Sequence, residues 1–201
     1  SLALSLALSL ALSLALSLQG ASTAYATPAA PTEQVQAAAT TMAVQALKAY
    51  NAGNYDAAQR LFWQAFELSP TRTAWAYGAA RASHKLGRFA EAAKRYRAYL
   101  VHPQDAPDKE ALARRHLADA EAAESRRWAR RAREAPGPGL AYAHGRRAVA
   151  LNPRNPTLWL QLAEYADRAN LRDEARAAYN KVVTLAPKGS PAHVAARRRL
   201  A

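Results

Sequence analysis

The 201-residue chain has no cysteine, a single methionine and three phenylalanines. Without thiols there is no disulfide framework, no thiolate metal site, no cysteine nucleophile and no lipid-modified N-terminal cysteine, so redox chemistry says nothing about compartment. Acid is scarce too: 15 Asp and Glu stand against 28 Lys and Arg, a formal charge of +13. Such an excess favours acidic partners, anionic polymers or an anionic membrane surface, and is silent on fold. Catalytic signatures are also missing, with no glycine-rich phosphate loop, no GxSxG and no HExxH. The histidines at 84, 102, 116, 144 and 193 never pair at ligand spacing on one helix. Glu164 and Asp167 share a helix face that reads as solvated, and Trp63, Trp75, Trp128 and Trp159 read as packing. No catalytic residue, cofactor or metal is therefore expected.

What is present opens with SLALSLALSLALSLALSL, which has leucine at every even position and no charge. As a helix it would be about 27 Å long, close to the minimum for crossing a bilayer. Ala24-Tyr25-Ala26 then has the small-x-small form a signal peptidase accepts. Residues 1–26 are expected to be a signal peptide cleaved after Ala26, or an N-terminal anchor if uncleaved, with a start at Ser1 that reads as truncated. Either role makes the protein exported, periplasmic or envelope-associated. TPAAPTEQVQ, residues 27–36, has two prolines and no apolar periodicity, and reads as a linker before a helical domain at 37–201.

Within that domain the chain repeats itself. GNYDAAQRLFWQAFELSP begins at Gly53 and GRFAEAAKRYRAYLVHP begins at Gly87, 34 positions later. Each copy runs from glycine through an aromatic, an alanine and a second aromatic to a closing proline: Tyr55, Ala58, Phe62 and Pro70, then Phe89, Ala92, Tyr96 and Pro103. Glycine suits the left-handed backbone of a tight helix-to-helix turn. TRTAWAYGAARASHKL fills the interval as a further helix, so the unit is a helix pair. A third copy, TLWLQLAEYADRANLRDEARAAYNKVVTLAP, has Asn170 for the turn glycine and Arg172 in the aromatic place. Pro153 precedes Pro187 by 34 residues, so GLAYAHGRRAVALNP closes another unit, with Gly145 where an aromatic is expected.

The pattern resembles the tetratricopeptide repeat family. The resemblance implies an all-α, right-handed superhelical solenoid of about four antiparallel helix pairs. Its units are expected at about 39–72, 73–106, a degenerate 107–155 and 156–189, with SPAHVAARRRLA at 190–201 as a capping helix opened by Pro191. Asp108 to Ala135 holds no glycine or proline and reads either as one helix of nearly eight turns or as two. One phasing makes 108–121 an extra helix and pairs 124–133 with 139–151 across a PGPG turn. The other runs the repeat straight through and strands the apolar side of 139–151. Burial favours the first.

By the same resemblance the first helix of each pair lines a concave face, here through Tyr77, Arg81, His84, Lys85, Arg126, Arg130 and Arg133. Residues 125–151 carry seven arginines against one glutamate, and 188–201 four basic groups and no acid. The family's basic and asparagine pair for clamping a C-terminal carboxylate is not evident, since Ala43 and Leu47 occupy that face. The function implied is a non-catalytic scaffold or adaptor that holds a protein or peptide segment, acidic in view of the charge. The alternatives are an electrostatic binder of nucleic acid or another polyanion, and an accessory subunit of an envelope enzyme or secretion complex.

Overall fold

The computed structural model describes residues 32–103 and 107–201, so the expected signal or anchor segment 1–26 lies outside the described residues. Among the described residues there are nine helices and no strand: α1 (Glu33–Asn51), α2 (Tyr55–Leu68), α3 (Thr73–Lys85), α4 (Phe89–Val101), α5 (Pro107–Arg133), α6 (Pro138–Leu151), α7 (Pro156–Arg168), α8 (Arg172–Leu185) and α9 (Pro191–Leu200). Each packs chiefly on its neighbours in sequence, with weaker contacts from α1 to α3 and from α7 to α9. This nearest-neighbour order is that of a solenoid. α1 begins at Glu33 and so takes in the last residues of the stretch read as a linker. Glu33 in its first turn suits the positive end of a helix dipole. None of the described helices is long and apolar enough to cross a membrane.

The repeated turn has a repeated geometry. Gly53 (φ 77°), Gly87 (φ 68°) and Asn170 (φ 59°) are all left-handed. In each case the next residue sends its N–H back to a carbonyl five positions earlier: Asn54 to Ala49, Arg88 to Ser83 and Leu171 to Ala166, all at 2.9 Å. That bond ends one helix and aims the next. Helix starts are secured by side-chain caps at Asn54, Asn155 and Ser190. Pro138, Pro156 and Pro191 open α6, α7 and α9, where the missing N–H would have had no helical partner.

The core is built largely from alanine. Ala39, Ala46, Ala58, Ala65, Ala76, Ala79, Ala80, Ala92, Ala113, Ala120, Ala163, Ala166 and Ala196 are fully buried, and among the largest side chains enclosed with them are Tyr96, Tyr99 and Val182. Small residues let the helices approach closely, and the aromatics fill the spaces between contacts. Where Gly145 replaces an aromatic, α7 supplies the missing volume. A Cβ on Gly145 would lie 3.1 Å from Leu162 Cδ1 and 3.2 Å from Tyr165 Cδ2.

Each pair from α3 onward has a polar tie across it. Thr73 Oγ1 donates to the His102 carbonyl (2.8 Å), Ser125 Oγ to the Ala148 carbonyl (2.8 Å) and the Tyr179 hydroxyl to Asp167 Oδ2 (2.7 Å). A buried cluster joins α2, α3 and α4, in which the Arg95 guanidinium donates to Gln59 Oε1 and Ser83 Oγ while lying over the Trp63 ring.

α5 settles the phasing of the middle unit. It is one helix of 27 residues, about 40 Å long, and no separate extra helix exists at 108–121. Nothing between 108 and 133 breaks it, and Glu110 pairs with Arg114 one turn on at 2.6 Å. Its first half packs on α4 through Ala113 and Ala120, and Arg97 of α4 reaches Glu121 at 2.5 Å. Its second half pairs with α6 through Ser125, Ala129 and Ala132, as the first phasing expects.

Leucine at a point of closest approach should not fit. Ala92→Leu and Ala163→Leu are each expected to cost about 1–3 kcal/mol, seen as a lowered urea midpoint. Midpoints equal to that of the parent protein would overturn the repeat register described above.

Candidate functional site

The helices that open successive pairs, α1, α3 and the first half of α5, come together around a hollow. Tyr50 of α1, Arg81, His84 and Lys85 of α3, Tyr96 of α4, and His116 and Asp119 of α5 line a space of about 380 Å³. A smaller one of about 160 Å³ shares Tyr50 and Arg81 with it and adds Leu47, Phe62, Ala74, Tyr77, Gly78 and Lys109.

Arg81 stands between the two. Its Cζ lies 5.1 Å from the Tyr50 ring and 6.0 Å from the Tyr77 ring, and no carboxylate pairs with it among the described residues. Flanking rings hold the guanidinium in place and leave its forked donors unspent, which is the preorganisation that favours a carboxylate. Tyr77, expected on the same concave face, borders the smaller hollow. It is buried, packed on Tyr96 (5.9 Å between centroids) and Tyr99 (5.1 Å), and Lys109 Nζ lies 5.4 Å from its ring.

Two imidazoles form the far wall. The His84 and His116 rings are 6.0 Å apart, and each meets Tyr96, at 6.2 and 5.7 Å. Burial lowers the pKa of His84 below the usual histidine value, Asp119 opposes that shift, and Lys85 adds to it. His116 is lowered by burial first, then by His84 and Arg81, again against Asp119. The Tyr50 hydroxyl and His116 Nδ1 are buried without a hydrogen-bond partner. Burial also raises the Tyr96 hydroxyl well above the tyrosine range, so it stays neutral.

Of the seven residues expected to line one face, Arg81, His84 and Lys85 border the larger hollow and Tyr77 the smaller. Arg126, Arg130 and Arg133 are exposed and border neither. They follow Asp119 by 7, 11 and 14 residues, a spacing that keeps them on its stripe of α5, about 10, 16 and 21 Å further along the axis. The other four arginines of the basic run stack on rings: Arg127 on Phe89 (4.9 Å), Arg131 and Arg147 on Trp128 (4.6 and 4.4 Å) and Arg146 on Tyr142 (6.0 Å).

Sequence reasoning missed Tyr50, Lys109, His116 and Asp119. Tyr50 was legible, because it precedes His84 by 34 positions, the repeat interval already found. Asp119 was legible in the same way, 34 positions after Lys85, whereas His116 follows His84 by 32 and carried no such signal.

Residues 49–115, a third of the chain, match the family model described as tetratricopeptide repeat, so the chain contains repeats of this family. Similar solved structures include a thermophilic TPR protein of Thermus thermophilus, 24% identical over 81% of this chain and 79% of that one with a TM-score of 0.38. Another is MamA from Desulfovibrio magneticus, 18% identical over 73% and 75%, TM-score 0.38. A third is YrrB, described as a TPR protein with an unusual peptide-binding site, 15% identical over 80% and 92%, TM-score 0.33. No curated protein matches the chain.

The two depressed imidazoles make stability depend on pH. The unfolded chain binds more protons than the fold as pH drops through the ordinary histidine value of 6.5, so their contribution is complete above that pH and is lost below it. A lower thermal midpoint at pH 5.5 than at pH 7.5 is expected, with the gap narrowed by His84→Gln and His116→Gln together.

Proposed function

We propose that this chain of tetratricopeptide helix pairs is a non-catalytic interaction scaffold that holds an extended acidic segment of a partner protein along α1, α3 and α5. The observation that carries this reading is Arg81, positioned by Tyr50 and Tyr77 and left without a carboxylate among the described residues. An acidic side chain laid on it gains a bidentate, charge-assisted contact. Lys85 lies on the same hollow, and Arg126, Arg130 and Arg133 continue the stripe for a segment several residues longer.

A trough made largely of exposed charge associates fast and loses affinity steeply with salt. The rings beside Arg81 and the imidazoles supply the part that salt does not screen. The polyanion reading rests on total charge, whereas the segment reading rests on Arg81 and Lys85 at one hollow. We further propose that the protein is exported to the cell envelope, on the strength of the apolar run at 1–18 and the Ala24-Tyr25-Ala26 site. Residues 1–36 fused to a reporter active only after export should give signal, and a silent fusion would remove that part of the reading.

Charge reversal separates the two interaction models. Against an acidic partner segment recovered by affinity capture, Arg81→Glu with Lys85→Glu should abolish binding. Reversal of Arg197, Arg198 and Arg199 on α9 should cost less than about threefold, as expected of exposed charges far from the contact. Equal losses from the two sets would show that binding follows total charge, and the polyanion reading would stand instead.

A further inference from the structure

We propose that the hollow takes up protons at His84 and His116 as it binds its acidic segment, so that affinity rises as the pH falls. The proposal rests on the reading of this hollow as the segment-binding site and adds its regulation. The groups that face the two imidazoles come from four helices. Tyr50 projects from α1, Arg81 and Lys85 from α3, Phe89 and Tyr96 from α4, and Asp119 and Arg115 act from α5. Asp119 is the only acid among them.

In the empty hollow a proton on either ring is poorly placed. It would sit half-buried beside the Arg81 and Lys85 charges and 6.0 Å from a second ring. His116 Nδ1 has no acceptor inside the fold, so a proton there finds no hydrogen bond. The same features that keep the rings neutral make them respond to an incoming anion. Carboxylates laid over Arg81 bring the counter-charge that Asp119 alone does not supply. A ligand that prefers the charged imidazoles must raise their proton affinity, and by linkage protonation must then tighten the ligand. Histidine is the side chain whose titration falls in this range, and the carboxylates of the segment remain ionised until well below it.

The probe is a rhodamine-labelled hexaglutamate peptide, titrated with the full protein by fluorescence anisotropy from pH 8.0 to 5.5 at fixed ionic strength. A fall in Kd of about tenfold or more is expected, since one unit of pKa shift on a single group is a factor of ten. His84→Gln with His116→Gln should flatten the profile to within about twofold, while His144→Gln, on α6 beside Trp128, keeps the slope. Calorimetry of the unmodified protein in two buffers of different ionisation heat gives an independent reading and should show net proton uptake near pH 6.5. Binding that Arg81→Glu abolishes but that neither varies with pH nor takes up protons would overturn this inference and leave the acidic-segment reading in place. A slope that survives in the double glutamine variant would overturn it as well. Absence of binding at every pH down to 5.5 would overturn both.

Discussion

The fold depends on how closely its helices can approach one another. Between Ala39 and Ala196 most of the buried apolar residues are alanine, so backbones come near one another. Stability in such a structure is shared among nearest neighbours and not concentrated in one core. This is why the polar ties carry weight. The Thr73, Ser125 and Tyr179 bonds each fix one helix of a pair against its mate at a contact where dispersion from methyl groups alone sets the register only weakly. The hollow, by contrast, is bounded by large side chains from successive helices, Tyr50 of α1, Arg81 of α3 and His116 of α5.

α5 turns that local arrangement into a longer surface. Most units of this chain end their first helix after about four turns with a left-handed residue, as at Gly53, Gly87 and Asn170. α5 has no such residue and continues for 27 residues. Its first half therefore closes the hollow made with α1 and α3, while its second half serves as the opening helix of the next pair. A single stripe of this helix carries His116 and Asp119 at one end and Arg126, Arg130 and Arg133 at the other, in one rigid element.

Much of the fold was legible because the chain states its turns openly. A glycine 34 residues after another, and an asparagine in the same role, mark positions where the backbone must be left-handed, and all three are. The bounds of α2 follow from Gly53 and Pro70 in the same way. The start of α1 was not legible, since Glu33 and Gln34 fit a linker by composition and a helix by propensity. The fusion of two expected helices into α5 was left open for a related reason. An uninterrupted run of Ala, Arg and Glu permits a long helix, but only packing on both α4 and α6 selects it. At the site, Arg81, His84 and Lys85 followed from repeat geometry. Tyr77 lines the smaller hollow yet is buried, its ring 5.1 Å from that of Tyr99, a cover that the sequence pattern did not show.

Net charge, the most conspicuous property of the sequence, turns out to be the least direct guide to the site. Arg127, Arg131, Arg146 and Arg147 lie over the rings of Phe89, Trp128 and Tyr142, where their stems cover apolar surface while the charged heads stay exposed. Arg81 is engaged with rings as well, yet its position differs. It lines a hollow whose only acid among the described residues is Asp119, and its charge adds to the burial that lowers the proton affinity of His116. Arg81 is as exposed as those four arginines, so what sets it apart is its neighbours: the half-buried His84 and His116 line the same hollow, and their burial makes them responsive to what binds there.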